Sequence, residues 1–151
     1  MSKIIKISGD LLDIKSQMNI PNLVIAHQCN CKTTYGIGLY DSIAERYPYA
    51  DIYSQQIDRT PGDVIISMSS QQSDLMDDFS YPKRPIPSGE GNPVVISMLA
   101  QINPGKPRKS PDSAKDRIKY FTDCLRKMTD LPYDAIAFPH NPISNEIDLS
   151  S

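Results

Sequence analysis

Apolar residues fall into short runs separated by polar stretches, which predicts strands alternating with helices. Near-continuous apolar runs of four to six residues indicate strands that are covered on both faces. Wider apolar spacing, every three or four residues, indicates amphipathic helices. The predicted strands lie at 3–7, 23–27, 63–68, 94–99 and 135–138, and the predicted helices at 38–47 and 111–131.

Local signals set the ends and the faces of the two helices. The first has its apolar stripe at Leu39, Ile43, Ala44 and Tyr47 and ends before Pro48, because proline disfavours helical backbone in the preceding residue. The second begins with Ser110 as N-cap and Pro111 in its first turn. Its predicted apolar face is Ala114, Ile118, Phe121, Leu125 and Met128, and its basic residues predict a solvated face: Lys115, Arg117, Lys119, Arg126 and Lys127.

The order of the elements predicts an α/β fold with a largely parallel sheet and helices on its faces. The clearest unit is the strand 23–27, the helix 38–47 and the strand 63–68. Ligands of such folds bind outside the carboxyl ends of the strands. The polar segments that directly follow predicted strands should therefore meet at one edge of the sheet: Asp10, 27–38, 101–105 and 139–144.

A glycine-bearing loop links the strand 23–27 to the first helix. Gly36 and Gly38 allow close approach of the backbone to a ligand, and the free amides of a helix N-terminus favour an anion. A strand-to-helix turn without a ligand explains the same pattern. Two nearby polar residues also have two interpretations. His27 is either a general acid or base or a neutral strand-end imidazole, and Asn30 is either a ligand contact or a turn residue.

Composition narrows the class of protein. The 151 residues predict a single domain over 1–151, with a long surface loop at 69–93 and an irregular tail at 140–151. The net charge of −2 argues against nucleic-acid binding, which needs a basic surface. No apolar run approaches the roughly 18 residues that span a bilayer, and none near the N-terminus is typical of a signal peptide. We therefore expect no membrane partner and a cytoplasmic or nucleocytoplasmic protein that is not secreted.

The cysteines favour neither a disulfide framework nor a metal site. Cys29, Cys31 and Cys124 cannot all pair, which favours a reduced compartment. The pair Cys29 and Cys31 lacks the second ligand pair that structural zinc sites use. We expect no metal and no cofactor.

Three strings of residues together resemble the macro-domain family, which binds ADP-ribose. They are His27-x-Cys29-Asn30-Cys31, Tyr35-Gly36-Ile37-Gly38 and the helix end Ile43-Ala44-x-x-Tyr47-Pro48. The resemblance also covers the opening Gly9-Asp10-Leu11, the segment 94–101, the long helix and the segment 136–139. It is closest to the branch that contains ADP-ribose 1''-phosphate phosphatases, and it implies a three-layer α/β/α fold.

The resemblance also implies roles for individual residues. Asp10 would accept from the adenine amino group, with the Leu11 amide beside it. Asn30 would hold the distal ribose, and the loop of Tyr35, Gly36, Ile37, Gly38 and Leu39 would wrap the diphosphate. His27 and Asn30 would be the catalytic residues, and Gln101 and His140 would line the site. The ligand would be ADP-ribose or a derivative, or an ADP-ribosylated protein. The implied reactions are hydrolysis of ADP-ribose 1''-phosphate and removal of ADP-ribose from proteins.

Two departures from the family pattern open an alternative. Tyr40 stands where one hydrolase branch has an aspartate, and Asp41, one step later, does not take that role. No glycine follows Gly105, so the second diphosphate loop, the C-terminal helix and the last strand are expected to be missing. The uncovered edge would suit another protein or a second copy. The alternative is therefore a catalytically inactive macro-like module that acts through protein-protein interaction or as a homodimer.

Overall fold

The computed structural model describes residues 11–13, 23–36, 38–55, 57–68 and 93–139. The strands are β1 (Leu23–Cys29), β2 (Val64–Ser67), β3 (Val95–Leu99) and β4 (Ala135–Ala137). The α-helices are α1 (Leu39–Arg46) and α2 (Ala114–Met128), and short 3-10 helices lie at Leu11–Asp13 and Pro48–Ala50. Three predicted features lie outside the described residues: the strand 3–7, nearly all of the loop 69–93, and the tail 140–151. The expected lack of a second diphosphate loop, a C-terminal helix and a last strand concerns this same tail.

The four strands form one mixed sheet in the order β2-β3-β1-β4. β1 is parallel to both of its neighbours, and Ile25 pairs with Val95 of β3 and with Ala137 of β4. β2 pairs with β3 in the antiparallel direction. The sequence-based prediction of an α/β fold with a mostly parallel sheet is confirmed at this level.

The predicted unit of β1, α1 and β2 as parallel neighbours is wrong. After α1 the chain reaches the carboxyl end of β3, where the Gly62 amide donates to the Leu99 carbonyl (2.8 Å) and the Leu99 amide to the Asp63 carbonyl (2.9 Å). β2 therefore starts where β3 ends and runs back along it. The apolar pattern of β2 defines a strand, but it contains no information about the neighbour or the direction.

Alternate residues of β1 face different helices. Val24 and Ala26 share a core cluster with Cys124 and Met128 of α2. Leu23 and Ile25 pack instead with Ile43 and Tyr47 of α1, in a second cluster. Both faces of β1 are thus covered, which explains its near-continuous apolar run. None of the helices in the described part of the chain is long and apolar enough to cross a bilayer.

The helix α1 has its predicted bounds to within one residue, but on its face Leu39, predicted in the apolar stripe, is 37% exposed and Tyr40 is buried. The helix α2 differs at its start and on its buried face. The N-cap of α2 is Ser113, three residues after the predicted cap at Ser110, and its side chain accepts from the Asp116 amide in a capping box. Ile118 is 67% exposed. Met128 is buried as predicted, whereas Cys124 and Arg117 are buried without having been predicted, and Arg117 can be buried because it pairs with the buried Asp112. The predictions of Ile118 as a core residue and of Arg117 as a solvated one are therefore wrong.

Candidate functional site

The segments that follow β1 and β3 meet at one edge of the sheet, as the topology predicts. The Cys31 amide donates to the Ile102 carbonyl (3.0 Å). The Gln28 amide nitrogen Nε2 donates to Gln101 Oε1 (2.6 Å), and Gln101 Nε2 donates to the Asn103 carbonyl (2.7 Å). We name this region, the described residues 30–36 and 38–39 together with 101–103, the carboxyl edge. Gln101, a predicted ligand contact, lies here and is held by both of its amide atoms.

Asn30 organises the loop that leaves β1. Its Oδ1 accepts hydrogen bonds from the Lys32 amide (2.9 Å), the Thr33 amide (2.9 Å) and the Thr33 hydroxyl (3.1 Å). Its Nδ2 donates to the Tyr53 hydroxyl (3.0 Å). Buried side-chain bonds of this kind close a turn, so the structure gives Asn30 the turn role that the sequence left open. It directs the chain toward Gly36.

His27 is buried under α1 and does not face solvent. Its side chain lies on the same face of β1 as Ile25 and is 3% exposed. The ring centroid is 5.6 Å from that of Tyr40, and both ring nitrogens are within 3.8 Å of the Cys29 sulfur. Burial lowers the pKa of His27 to about 4, so the imidazole is neutral at pH 7. The near-neutral pKa on which an acid-base role depended is absent in this environment.

Tyr40 lies beside His27 and stacks on a second tyrosine, Tyr53. The rings of Tyr40 and Tyr53 are 3.9 Å apart and nearly parallel, at 10°. The Tyr40 hydroxyl donates to Asp51 Oδ1 (2.7 Å) and accepts from the Tyr53 amide (2.9 Å). Burial, then the hydrogen bond to Asp51, raises the pKa of Tyr40. The sequence indicated only that Tyr40 replaces an aspartate. Its stacked position was missed, because stacking on a residue thirteen positions away leaves no local signal.

The loop into α1 requires glycine at two positions for different reasons. A Cβ on Gly36 would lie 2.0 Å from Cδ1 of Tyr40, so the backbone passes directly against that ring. Gly38 has φ +63° and ψ −131°, a conformation that side chains disfavour, although a Cβ there would meet nothing within 4 Å. Gly38 is the N-cap of α1, and no side chain caps this helix. Its first amides are thus presented at the carboxyl edge.

The remaining predicted contacts fall into three groups: exposed residues, one packed residue and residues outside the described part. Tyr35 is 73% exposed and Leu39 is 37% exposed, both beside the glycines. Leu11 packs against the Leu23 and Ile25 cluster from its 3-10 helix. Asp10, Ile37 and His140 lie outside the described residues. Among described residues, no group of three or more His, Cys, Asp or Glu side chains could hold a metal ion.

A buried ion pair fixes the bend after β3, and neither partner was predicted to have this role. Asp112 accepts from the Ile102 amide (2.9 Å), the Asn103 amide (3.0 Å) and two nitrogens of Arg117 (2.9 and 3.0 Å). Arg117 also donates to the carbonyls of Asn103, Gly105 and Lys106. Burial alone would raise the pKa of Asp112, but the bonds from Arg117 and these amides outweigh burial and hold it well below its usual range. The pair sets the position of 101–103.

Arg59 is a second residue that the sequence analysis missed. Its Nη1 donates to the Asn30 carbonyl (3.2 Å), and its guanidinium lies 5.0 Å from the centre of the Tyr53 ring. An isolated arginine in a polar connector carries no pattern that marks it. The connector between α1 and β2 folds back and brings Arg59 to the end of β1.

Comparisons with known proteins do not assign a family. No protein-family model matches the sequence, and neither the curated proteins nor the solved structures give a significant match. The resemblance to macro domains therefore rests on the sequence motifs alone.

Proposed function

We propose that this protein is a macro-like domain of the three-layer α/β/α type that binds ADP-ribose, or a close derivative, at the carboxyl edge. The observation that carries the proposal is the loop from β1 to α1. It leaves the central parallel strand at its carboxyl end, requires glycine at Gly36 and Gly38, and enters a helix without a side-chain cap. Helix amides of this kind favour the negative charge of a diphosphate.

The surroundings of the loop suit the rest of the ligand. Asn30 closes the turn that shapes the loop, which is the position where the resemblance expects the distal ribose. Tyr35 is exposed beside Gly36 and offers an aromatic face. The bend at 101–103, fixed by Asp112, lies beside the start of the loop, because the Cys31 amide donates to the Ile102 carbonyl. The adenine contact proposed for Asp10, and the contacts of Ile37 and His140, remain expectations from the resemblance.

The geometry favours binding over hydrolysis. His27 is neutral, buried and close to Tyr40, and the Asn30 side chain is occupied by the turn and by Tyr53. A general acid or base must reach the substrate, directly or through one water molecule. Dephosphorylation of ADP-ribose 1''-phosphate or removal of ADP-ribose from proteins would thus require a rearrangement that exposes His27. The same observation fits the alternative of a catalytically inactive module. The surface through which such a module would contact another protein or a second copy involves residues outside the described part.

We expect Gly38→Ala to weaken ADP-ribose binding by roughly tenfold or more, about 1.4 kcal/mol per factor of ten. Alanine at φ +63° is strained by about 1–3 kcal/mol, and relaxation of the loop turns the amides away from the phosphates. Isothermal titration of the folded variants with ADP-ribose measures the effect.

Gly62→Ala is the matched control for Gly38→Ala. Gly62 also has positive φ, at +92°, and a Cβ there would meet only the Asp123 side chain, at an ordinary contact distance of 3.4 Å. This variant carries the same kind of strain outside the carboxyl edge, so its affinity for ADP-ribose should equal that of the wild type. Equal affinities in both variants would show that the loop is not the site. Absence of any heat with the folded wild type at millimolar ADP-ribose would contradict the function itself.

A further inference from the structure

The Tyr53 hydroxyl accepts two hydrogen bonds from a single residue, Asn30. The Asn30 backbone amide donates to it over 2.9 Å, and the side-chain nitrogen Nδ2 donates to it over 3.0 Å. The orientation of the side chain is settled, because Asn30 Oδ1 faces the amides of Lys32 and Thr33, which can only donate. The nitrogen of the side chain therefore faces Tyr53, and the hydroxyl oxygen is the acceptor in both bonds.

Burial makes the turn after β1 depend on this one oxygen atom. Tyr53 and Asn30 are both buried, so water does not reach the two N–H groups of Asn30 while the fold is closed. A buried N–H group that loses its acceptor keeps the full cost of its desolvation, which exceeds the net gain from an average hydrogen bond. Loss of the hydroxyl would therefore penalise the folded turn at two points.

Tyr53 is itself held by contacts outside the loop. Its ring stacks on that of Tyr40, and its backbone amide donates to the Tyr40 hydroxyl (2.9 Å). The Arg59 guanidinium lies 5.0 Å from the centre of the same ring. The hydroxyl oxygen of a tyrosine lies on the ring axis, so a fixed ring fixes the acceptor. Asn30 thus meets an oxygen whose position does not depend on the loop.

We propose that Tyr53 is a positioning residue of the binding site, whose hydroxyl holds the turn after β1, through Asn30, in the conformation that receives ADP-ribose. The inference rests on the proposed function, because it assigns the loop from β1 to α1 to that ligand. The turn at Asn30 leads directly to Gly36 and the start of α1, so a shift of the turn moves the amides that would contact the phosphates. Tyr53 needs no contact of its own with the ligand.

Tyr53→Phe tests the proposal, because phenylalanine keeps the stacked ring and removes only the acceptor. We expect the affinity for ADP-ribose, measured by isothermal titration, to fall roughly tenfold or more, since only molecules with a formed turn bind. Hydrogen exchange of the Lys32 and Thr33 amides should accelerate as the turn opens more often. The acceleration should exceed any change at the Ile25 amide, which donates to the Val94 carbonyl and reports on opening of the sheet.

Two further variants separate the route through Asn30 from a general loss of stability. Tyr49→Phe makes the same chemical change on a tyrosine whose hydroxyl donates to the Pro93 carbonyl, near the amino end of β3. It should keep the wild-type affinity. In an Asn30→Ala background, where the turn has already lost its side-chain bonds, Tyr53→Phe should lower affinity by a further threefold at most, on the order expected for two residues that act as one unit.

The outcomes distinguish the positioning role from the function. If ADP-ribose binds and Tyr53→Phe lowers only the stability of the fold, the role is refuted and the proposed function stands. The role is also refuted if Tyr49→Phe weakens binding equally, or if Tyr53→Phe has its full effect in the Asn30→Ala background. If the folded wild type binds no ADP-ribose, the function fails. Unchanged exchange of the Lys32 and Thr33 amides in Tyr53→Phe refutes the hold on the turn whether or not the ligand binds.

Discussion

Replacement of Arg117 by alanine is expected to lower the free energy of unfolding by roughly 3–5 kcal/mol, the range for a buried ion pair that loses one partner. Asp112 and Arg117 are both buried, and their side chains are 2.9 Å apart at the closest nitrogen and oxygen. Without Arg117 the Asp112 carboxylate remains buried with only its amide donors. The carbonyls of Asn103, Gly105 and Lys106 also lose a donor, which loosens the bend at the carboxyl edge.

Arg126 provides a control on the same helix. It lies in the last turn of α2 and pairs with Asp123 at 3.7 Å on the surface, where its side chain is 77% exposed. Arg126→Ala makes the same chemical change and should cost less than about 1 kcal/mol, because exposed ion pairs contribute little. Urea unfolding of the two variants gives the comparison. Similar losses would mean that the pair of Asp112 and Arg117 does not hold the bend.

Acidification from pH 6.5 to pH 4 is expected to remove roughly 3 kcal/mol of stability through His27 alone, at about 1.4 kcal/mol per pKa unit. The pKa of His27 is 6.5 as an unfolded residue and about 4 in the fold, because burial disfavours the imidazolium. The unfolded chain therefore binds a proton first as the pH falls. Stability from this source is complete above pH 6.5, declines through the interval, and changes no further below pH 4.

The measurement is urea unfolding of the wild type and His27→Leu at several values between pH 7 and pH 4. Leucine cannot take up a proton, so the stability of the wild type relative to the variant should fall across this interval. His140→Gln removes the other histidine of the chain and should keep the wild-type dependence. Parallel profiles for the wild type and His27→Leu would contradict the burial of His27. Asp112 acts in a separate range, since its lowered pKa gives stability that is lost only below its unfolded value of 3.8.

The parts of the fold that could be predicted from the sequence are those set by short-range patterns. The apolar run of β1 predicted a strand covered on both sides, and the structure packs its alternate residues against α1 and α2. The sequence also predicted the position of the glycine loop and the meeting of the segments after β1 and β3. Parallel neighbours end at the same edge, so their loops must lie together, and the Cys31 to Ile102 hydrogen bond confirms it.

The features that could not be predicted depend on contacts between distant residues. The direction of β2 is set by Gly62 and Asp63 meeting Leu99. The buried face of α2 includes Arg117, because Asp112 pairs with its guanidinium. The spacing of apolar residues gives no sign of this pair. The ring beside His27 belongs to Tyr40 of α1, which stacks on Tyr53, beyond the next 3-10 helix. The residue type of His27 suggested an acid or base, but burial lowers its pKa and keeps the imidazole neutral.

Chemical-shift mapping with ADP-ribose tests the proposed site most directly. In a titration followed by amide resonances of the labelled wild-type protein, the account predicts that the largest shifts cluster at the carboxyl edge, in the segment 31–39 and at 101–103. Amides on the exposed side of α2, around Lys119 and Arg126, should remain unchanged. Absence of shifts at millimolar ligand, or shifts centred on α2 with none in the glycine loop, would contradict the account.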